Sequence, residues 1–319
     1  MEYRHRSVLL DESVEHLRCG PGMVIADCTL GGGGHAEAII KSILPGGRLI
    51  GLDKDEEALQ AATERLGIYG DAFIPVHADY VRLRAVLEKI GISGIDGCLM
   101  DLGVSSHQLD DPERGFSYHA EAPLDMRMDR EQALSAYDVV NGYDRRELAR
   151  IIREYGEERY AARIASAIVR LRSTKPLATT LELAEAVKEA IPAPARRTGS
   201  HPARRTFQAI RIEVNNELGH LKEGLETAAD VLIPGGRLCV ITFHSLEDRL
   251  VKKAFTRWAN PCTCPRDFPQ CVCGKVPRGR IVTQRPIVPG EAELSQNARA
   301  RSAKLRVFEI ASGSNRQKG

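Results

Sequence analysis

"DCTLGGGGHAEAI", Asp27 to Ile39, sets four consecutive glycines between a carboxylate and a histidine, directly after the apolar run Val24-Ile25-Ala26. A strand that ends in an acid and turns through bare backbone into a helix reads as the first βα turn of a nucleotide-binding sheet. Gly31 to Ala36 satisfies the dinucleotide pattern G-x-G-x-x-A, and Asp53 follows about 20 residues on, the spacing at which an acid meets ribose hydroxyls. A nicotinamide-dependent oxidoreductase fits that much. Asp27 argues against it, because a carboxylate at the tip of the first strand repels a pyrophosphate settling on the helix N-terminus. S-adenosylmethionine carries an ammonium and a sulfonium there instead, so the acid attracts it, and the glycines admit its close approach. The competing reading of Asp27 is a turn or capping residue.

The flanking sequence extends this unit into a sheet. Short apolar runs bounded by glycine, aspartate or proline recur at Met23–Cys28, Arg48–Leu52, Ala72–Val76, Gly97–Leu102, Arg237–Phe243 and Leu305–Ile310. Helical patterns at Asp55–Leu66 and Tyr80–Ile90 separate the early ones, which predicts a parallel, doubly wound α/β sheet. After Leu102 the alternation stops, and helices are expected near Arg145–Arg172 and Thr180–Ile191, the latter opened by a capping box at Thr179 and Glu182. The expectation is a discontinuous core, 1–107 and 206–312, interrupted by a helical insertion, 108–205, with a flexible tail, 313–319.

A chain of 319 residues, 43% apolar and 28% charged, suits an enzyme-sized globular protein rather than a disordered one. Neither a signal-peptide pattern nor a membrane-length apolar run occurs, so a cytoplasmic location and no membrane are expected. The net charge of +2 conceals an asymmetry: Tyr143 to Arg211 holds 15 Lys/Arg against 8 Asp/Glu. A basic block on a mildly acidic remainder suits either a nucleic-acid face or a set of solvated helices. Cys19, Cys28, Cys98 and Cys239 stand singly and read as small core residues.

Ten blocks in order resemble the MraW family, bacterial S-adenosylmethionine-dependent methyltransferases of the exocyclic N4 amine of a decoding-region (P-site) cytidine in 16S ribosomal RNA. They are "HRSVLLDE" (5–12), "DCTLGGGGHA" (27–36), "GLDKD" (51–55), "MDLGVSSHQLDDPERGFSY" (100–118), "PLDMRMD" (123–129), "YGEERYAARIA" (155–165), "HPARRTFQAIRIEVNNEL" (201–218), "PGGRL" (234–238), "FHSLEDRLVK" (243–252) and "NARARSAKLR" (297–306). The resemblance implies a Rossmann-like class I methyltransferase sheet with an inserted helical domain for substrate recognition. It implies methyl-donor contacts at Gly33, Gly34, His35, Asp53, Tyr80, Asp101 and Gln108; Asp27 joins them on charge alone. Tyr80 reads either as a stacking partner for adenine or as edge packing.

The cytosine amine is a poor nucleophile because its lone pair is delocalised into the ring. A catalyst must accept a hydrogen bond from it and align nitrogen, methyl carbon and sulfur. Related amino-methyltransferases carry Asn or Asp, then Pro-Pro and an aromatic, at the end of strand four; here the stretch is Asp101-Leu-Gly-Val-Ser-Ser106. Asp101, or a carbonyl near Gly103 to Ser105, is the expected acceptor, with Ser105 beside it and His244, Ser245 and Asp248 on the opposite wall. The target base must leave any stack to reach a pocket. Arg196, Arg197, His201, Arg204 and Arg205, with Arg299, Arg301 and Lys304, are expected to clamp phosphates at its mouth. Cys262-x-Cys264 and Cys271-x-Cys273 read either as four ligands of a structural zinc or as unligated thiols. The expected partner is 16S ribosomal RNA within the small ribosomal subunit, with a homodimer also open. Two other classes stay in play, the oxidoreductase and a non-catalytic RNA-binding or assembly protein on the same fold.

Overall fold

The computed structural model describes residues 7–197, 201–265, 270 and 272–312. The chain divides into two units: Met1–Gly103 with Leu218–Gly319, and Val104–Glu217.

The first unit is built on a seven-stranded sheet: β1 (Val24–Asp27), β2 (Arg48–Asp53), β3 (Phe73–His77), β4 (Ile95–Asp101), β5 (Leu232–Thr242), β6 (Gly279–Ile281) and β7 (Lys304–Ile310). Their order is β3-β2-β1-β4-β5-β7-β6. The pairs β1–β2, β1–β4, β2–β3 and β4–β5 are parallel, whereas β7 runs antiparallel to both β5 and β6. This is the expected Rossmann-like methyltransferase sheet. Its strands alternate between two buried faces, as the two-residue period requires. Ala26, Ile50, Leu52, Cys98, Met100 and Val240 join one apolar cluster; Ile25, Leu49, Leu99, Cys239 and Ile241 join the other.

Helices cover both faces because their apolar stripes match. Ala36, Ile39, Ile40 and Ile43 of the helix Gly34–Ile43 enter the second cluster, and Val251, Phe255 and Trp258 of the helix Ser245–Ala259 enter the first. Phe255, Trp258 and Phe308 pack with ring centroids 5.3–5.6 Å apart. Three of the scattered cysteines, Cys28, Cys98 and Cys239, are buried in these layers, and Cys19 is half-buried. The short strand β6 escaped the sequence reading: three residues, Gly-Arg-Ile, are too few to show alternation.

The second unit packs the helices Ala136–Gly142, Arg145–Glu154, Ala161–Arg172, Thr180–Ala190 and Arg204–Asn215 around one apolar cluster. The capping box at Thr179 and Glu182 forms as read. Two expectations shift. The single helix expected over Arg145–Arg172 breaks between Glu154 and Ala161, where Glu157 takes a left-handed φ of 49° and any Cβ on Gly156 would stand 2.6 Å from the carbonyl oxygens of Ile152 and Arg205. The insertion also runs past Arg205 to Glu217, because Phe207, Ile210 and Val214 bury their side chains with its helices rather than with the sheet. The tail 313–319 lies outside the described residues.

Candidate active site

Strand order reverses between β1 and β4, and each of these strands ends in an acid, Asp27 and Asp101. Open α/β sheets take their ligands at this edge. Thr29 links the two: its Oγ1 accepts the Asp101 N–H (2.6 Å), and its own N–H donates to Asp27 Oδ1 (3.2 Å). Asp27 is 1% exposed, and burial pushes its carboxyl up to about 7, the Thr29 hydrogen bond opposing and the Asp53 charge adding. Asp101 rises well above the ordinary carboxylate range, again through burial, with Asp27 and Glu247 adding to it. Asp27 Oδ2 and Asp101 Oδ1 are buried and accept no hydrogen bond among the described residues. Two such oxygens are expensive to keep ionised without a cation or donor beside them. They fit the ammonium and sulfonium of S-adenosylmethionine and repel a pyrophosphate.

The glycine loop serves this edge in ways that differ residue by residue. Gly31, at φ 51°, donates its N–H to Asp53 Oδ2 (2.8 Å). Gly33 caps the helix Gly34–Ile43 at φ 76°, a conformation that favours glycine. Gly34 is bare for an internal reason, since a Cβ there would come within 2.1 Å of Ser7 Oγ. Only Gly32 faces open space. His35 is buried, and its Nε2 lies 3.0 Å from the Val8 carbonyl oxygen, which only accepts; the proton therefore sits on Nε2. Nδ1 then turns its lone pair toward Asp101 Oδ2 at 3.6 Å. Burial lowers the imidazole to about 4, so the ring is neutral at pH 7.

Asp53 closes β2 with both oxygens engaged by backbone, Gly31 N–H on one and Asp55 N–H (2.9 Å) on the other. That fixes its orientation while leaving a second lone pair on each oxygen for ribose hydroxyls. Asp79 follows β3 and accepts from Val81 N–H (3.0 Å), with His220 Nδ1 at 2.9 Å and Lys54 Nζ at 3.8 Å. Burial pushes it up, but these partners hold it net below the usual range. Tyr80 packs its ring against Gly224 so closely that a Cβ there would meet Cδ2 at 2.4 Å. One side of the ring is thereby seated on a helix.

The remaining predicted residues divide. In the second unit, Ser105 and Gln108 form a reciprocal capping box: Gln108 N–H donates to Ser105 Oγ (3.1 Å) and Ser105 N–H to Gln108 Oε1 (3.0 Å). In the first, His244 caps the helix Ser245–Ala259, with Nε2 3.1 Å from Glu247 Oε1 but without the alignment of a hydrogen bond. Glu247, 2% exposed, takes the N–H groups of Phe243 (2.8 Å) and His244 (3.2 Å). Asp248 departs from the expectation of a wall residue. Its carboxylate pairs with Arg306 Nε (2.7 Å) and Lys304 Nζ (3.3 Å), so it ties the helix to β7, and Lys304 is equally committed.

Among the arginines, Arg197, Arg204 and Arg205 are exposed in the second unit, Arg299 and Arg301 in the first. Arg196 instead folds back to cap the preceding helix, donating from Nε to the Ile191 carbonyl (2.7 Å). Arg205 donates to the Glu157 carbonyl (3.2 Å). The sulfurs of Cys262, Cys264 and Cys273 lie within 4.8 Å of one another; Cys271 lies outside the described residues.

Thr29, Glu247 and His220 escaped the sequence reading. Thr29 carried a signal, two residues past the acid of β1, but only the pairing of β1 with β4 shows what it joins.

Comparison with known proteins bears on the family of the chain. Residues 2–311 match the model of the MraW methylase family. The chain is 58% identical over 306 residues to the ribosomal RNA small subunit methyltransferase H of Symbiobacterium thermophilum, covering 96% of each chain. The protein of the same name from Carboxydothermus hydrogenoformans is 57% identical, over 97% of this chain and 98% of its own. Among solved structures, an rRNA methylase from Streptococcus thermophilus aligns over 95% of this chain and 94% of its own at 10% identity and TM-score 0.41, a likeness too loose to bear on function. No helix among the described residues is long and apolar enough to cross a membrane. With the match running through both units and the relatives spanning almost their full length, the chain belongs to the MraW methylase family.

Proposed function

We propose that this protein transfers a methyl group from S-adenosylmethionine to 16S ribosomal RNA, at the exocyclic N4 amine of a decoding-region (P-site) cytidine. The observation that carries the reading is the pair of buried carboxylate oxygens without partners, Asp27 Oδ2 and Asp101 Oδ1, at the strand-order reversal. They suit a cationic cofactor and oppose the nicotinamide alternative. Asp27, Gly33, Gly34, His35, Asp53, Tyr80 and Asp101 hold the donor in this reading. Bound there, S-adenosylmethionine supplies an electrophilic methyl on a sulfonium.

Asp101 accepts a hydrogen bond from the cytosine amine, drawing its lone pair out of conjugation. Its raised carboxyl makes it able to hold the amine proton. Ser105 and His244 each keep the backbone turn at the start of their own helix in place. Arg197, Arg204 and Arg205, with Arg299 and Arg301, contact RNA phosphates; Arg196 is left with its capping role. The names of the relatives support a small-subunit ribosomal RNA substrate.

The test uses small subunits from cells lacking the protein, incubated with the enzyme and labelled S-adenosylmethionine. Expected is one methyl per subunit, recovered as N4-methylcytidine after nucleoside digestion. Label at another base, or on ribose, overturns the cytidine-N4 assignment; binding of subunits without transfer favours the assembly-protein reading.

A further inference from the structure

The connection from the helix Ser245–Ala259 to β6 is the part of the core that apolar burial explains least. Its ends are anchored: Arg278 N–H donates to the Trp258 carbonyl (2.9 Å), and the Arg278 guanidinium sits 5.5 Å from the centroid of the Trp258 ring. Between these anchors no helix or strand occurs among the described residues, and Val272 and Val276 are 73% and 74% exposed. Ordering backbone costs about 1–2 kcal/mol per residue. Among the described residues between these anchors, no buried apolar side chain offsets it.

What does converge is sulfur. Sγ atoms of Cys262, Cys264 and Cys273 all lie within 4.8 Å of one another, and none is in a disulfide. Cys-x-Cys spacing puts two side chains on one face of an extended segment, which suits the convergence of Cys262 and Cys264 on Cys273. Tetrahedral zinc, with Zn–S of about 2.3 Å, separates its sulfurs by ~3.8 Å. The Val272 N–H donates to Cys264 Sγ at 3.4 Å, the outer contact that steadies a ligating thiolate. The sequence carries one more cysteine, Cys271, directly before Val272.

We propose that Cys262, Cys264 and Cys273 are thiolate ligands of a structural zinc ion that ties the backbone at Cys262–Cys264 to that at Cys273. An all-sulfur donor set selects a soft tetrahedral ion over magnesium or calcium. The ion takes the place of a local core, as metals do in small domains. It stands apart from methyl transfer, which the acids at the sheet edge serve.

Metal analysis of full-length protein purified without chelator should find one zinc per chain, released stoichiometrically by a thiol-specific mercurial. Cys262→Ser combined with Cys273→Ser should lower the zinc content at least tenfold. If that variant fails to fold, wild-type protein refilled with Co2+ decides. Sulfur-to-cobalt charge-transfer absorption of at least three thiolates, with tetrahedral d–d bands, is expected. Trp258, the single tryptophan, should change emission on metal removal while S-adenosylmethionine binding persists. Zinc absent after refilling, zinc content indifferent to both substitutions, a cobalt spectrum of fewer than three thiolates, or iron–sulfur absorption each overturns the proposal.

Discussion

Among the described residues, the two units differ in their buried charged groups: the insertion pairs all of them, whereas the sheet unit, which pairs Arg237 with Glu309, leaves two carboxylate oxygens without a partner. In the insertion the charges are paired for folding: Arg211 grips Glu217 through two bonds (2.8 and 2.9 Å), and the fully buried Arg114 spends its Nη2 on the carbonyls of Arg127 and Met128. Asn215 likewise fastens the "PLDMRMD" segment, donating to the Met126 carbonyl and accepting the Met128 N–H, both at 2.8 Å. In the sheet unit, Asp27 and Asp101 each bury an oxygen with no partner. A satisfied buried network specifies a fold, whereas an unsatisfied one works against stability and is kept where a ligand completes it. The contrast separates polar residues that make the protein from polar residues that make the site.

Breaking the paired side should have the largest effect. Arg211→Ala leaves Glu217, 8% exposed, without its guanidinium and should lower stability by about 3–5 kcal/mol; chemical denaturation measures it, and a loss under 1 kcal/mol would dissolve the distinction between the units. Asp27→Asn should move the other way. With its carboxyl at about 7 when folded against an ordinary 3.8, the folded chain holds a proton that the unfolded chain has released between those values. The contribution of Asp27 to stability without cofactor therefore falls as pH rises from about 4 to about 7 and is level above. The variant should lack that decline and be more stable by about 2–4 kcal/mol at pH 8. Calorimetric titration should at the same time show S-adenosylmethionine bound at least tenfold more weakly.

His35 offers a finer test within the sheet unit. Its ring is held near 4 when folded against 6.5 in an open chain, so its contribution is complete above pH 6.5 and drains away as pH falls toward 4, by on the order of 3 kcal/mol. A thermal-melt series with His35→Gln should show a shallower acid limb than the wild type. The smallest effects belong to the insertion's exposed arginines: Arg204→Ala and Arg205→Ala should each weaken subunit binding several-fold and reduce the salt slope by about one. Melting temperatures within a degree or two of wild type would distinguish these losses from misfolding.

Much of this was legible from residue order, for reasons that can be stated. β1, β2 and β4 read clearly because strands buried on both faces are continuous apolar runs ending in an acid. The place of Asp27 at the end of β1 was legible from the apolar run before it. Asp248 misled because "FHSLEDR" shows its acids on a polar helix start, while Arg306, its partner, arrives from β7 far along the chain. Gly34 has a second reason to be bare that residue order hides: nothing in the sequence says that Ser7 occupies the space a side chain would need. The boundary at Glu217 was hidden because an amphipathic helix such as Arg204–Asn215 does not declare which apolar surface it faces.

The interruption of the sheet also sets a timetable. The insertion, Val104–Glu217, is contiguous and rich in local helical contacts, so it can fold once its last helix has left the ribosome. The sheet unit has to wait. β4 meets β5 only after residue 242 is made, and Leu9, just behind the Val8 carbonyl that holds His35, is secured by Glu293 Oε1 (2.9 Å), nearly three hundred residues downstream. A nascent chain thus finishes its helical insertion first and the edge of its sheet last. Premature termination before β7 should release a folded insertion with no competent donor site, which makes the order of synthesis itself a safeguard against half-made enzyme.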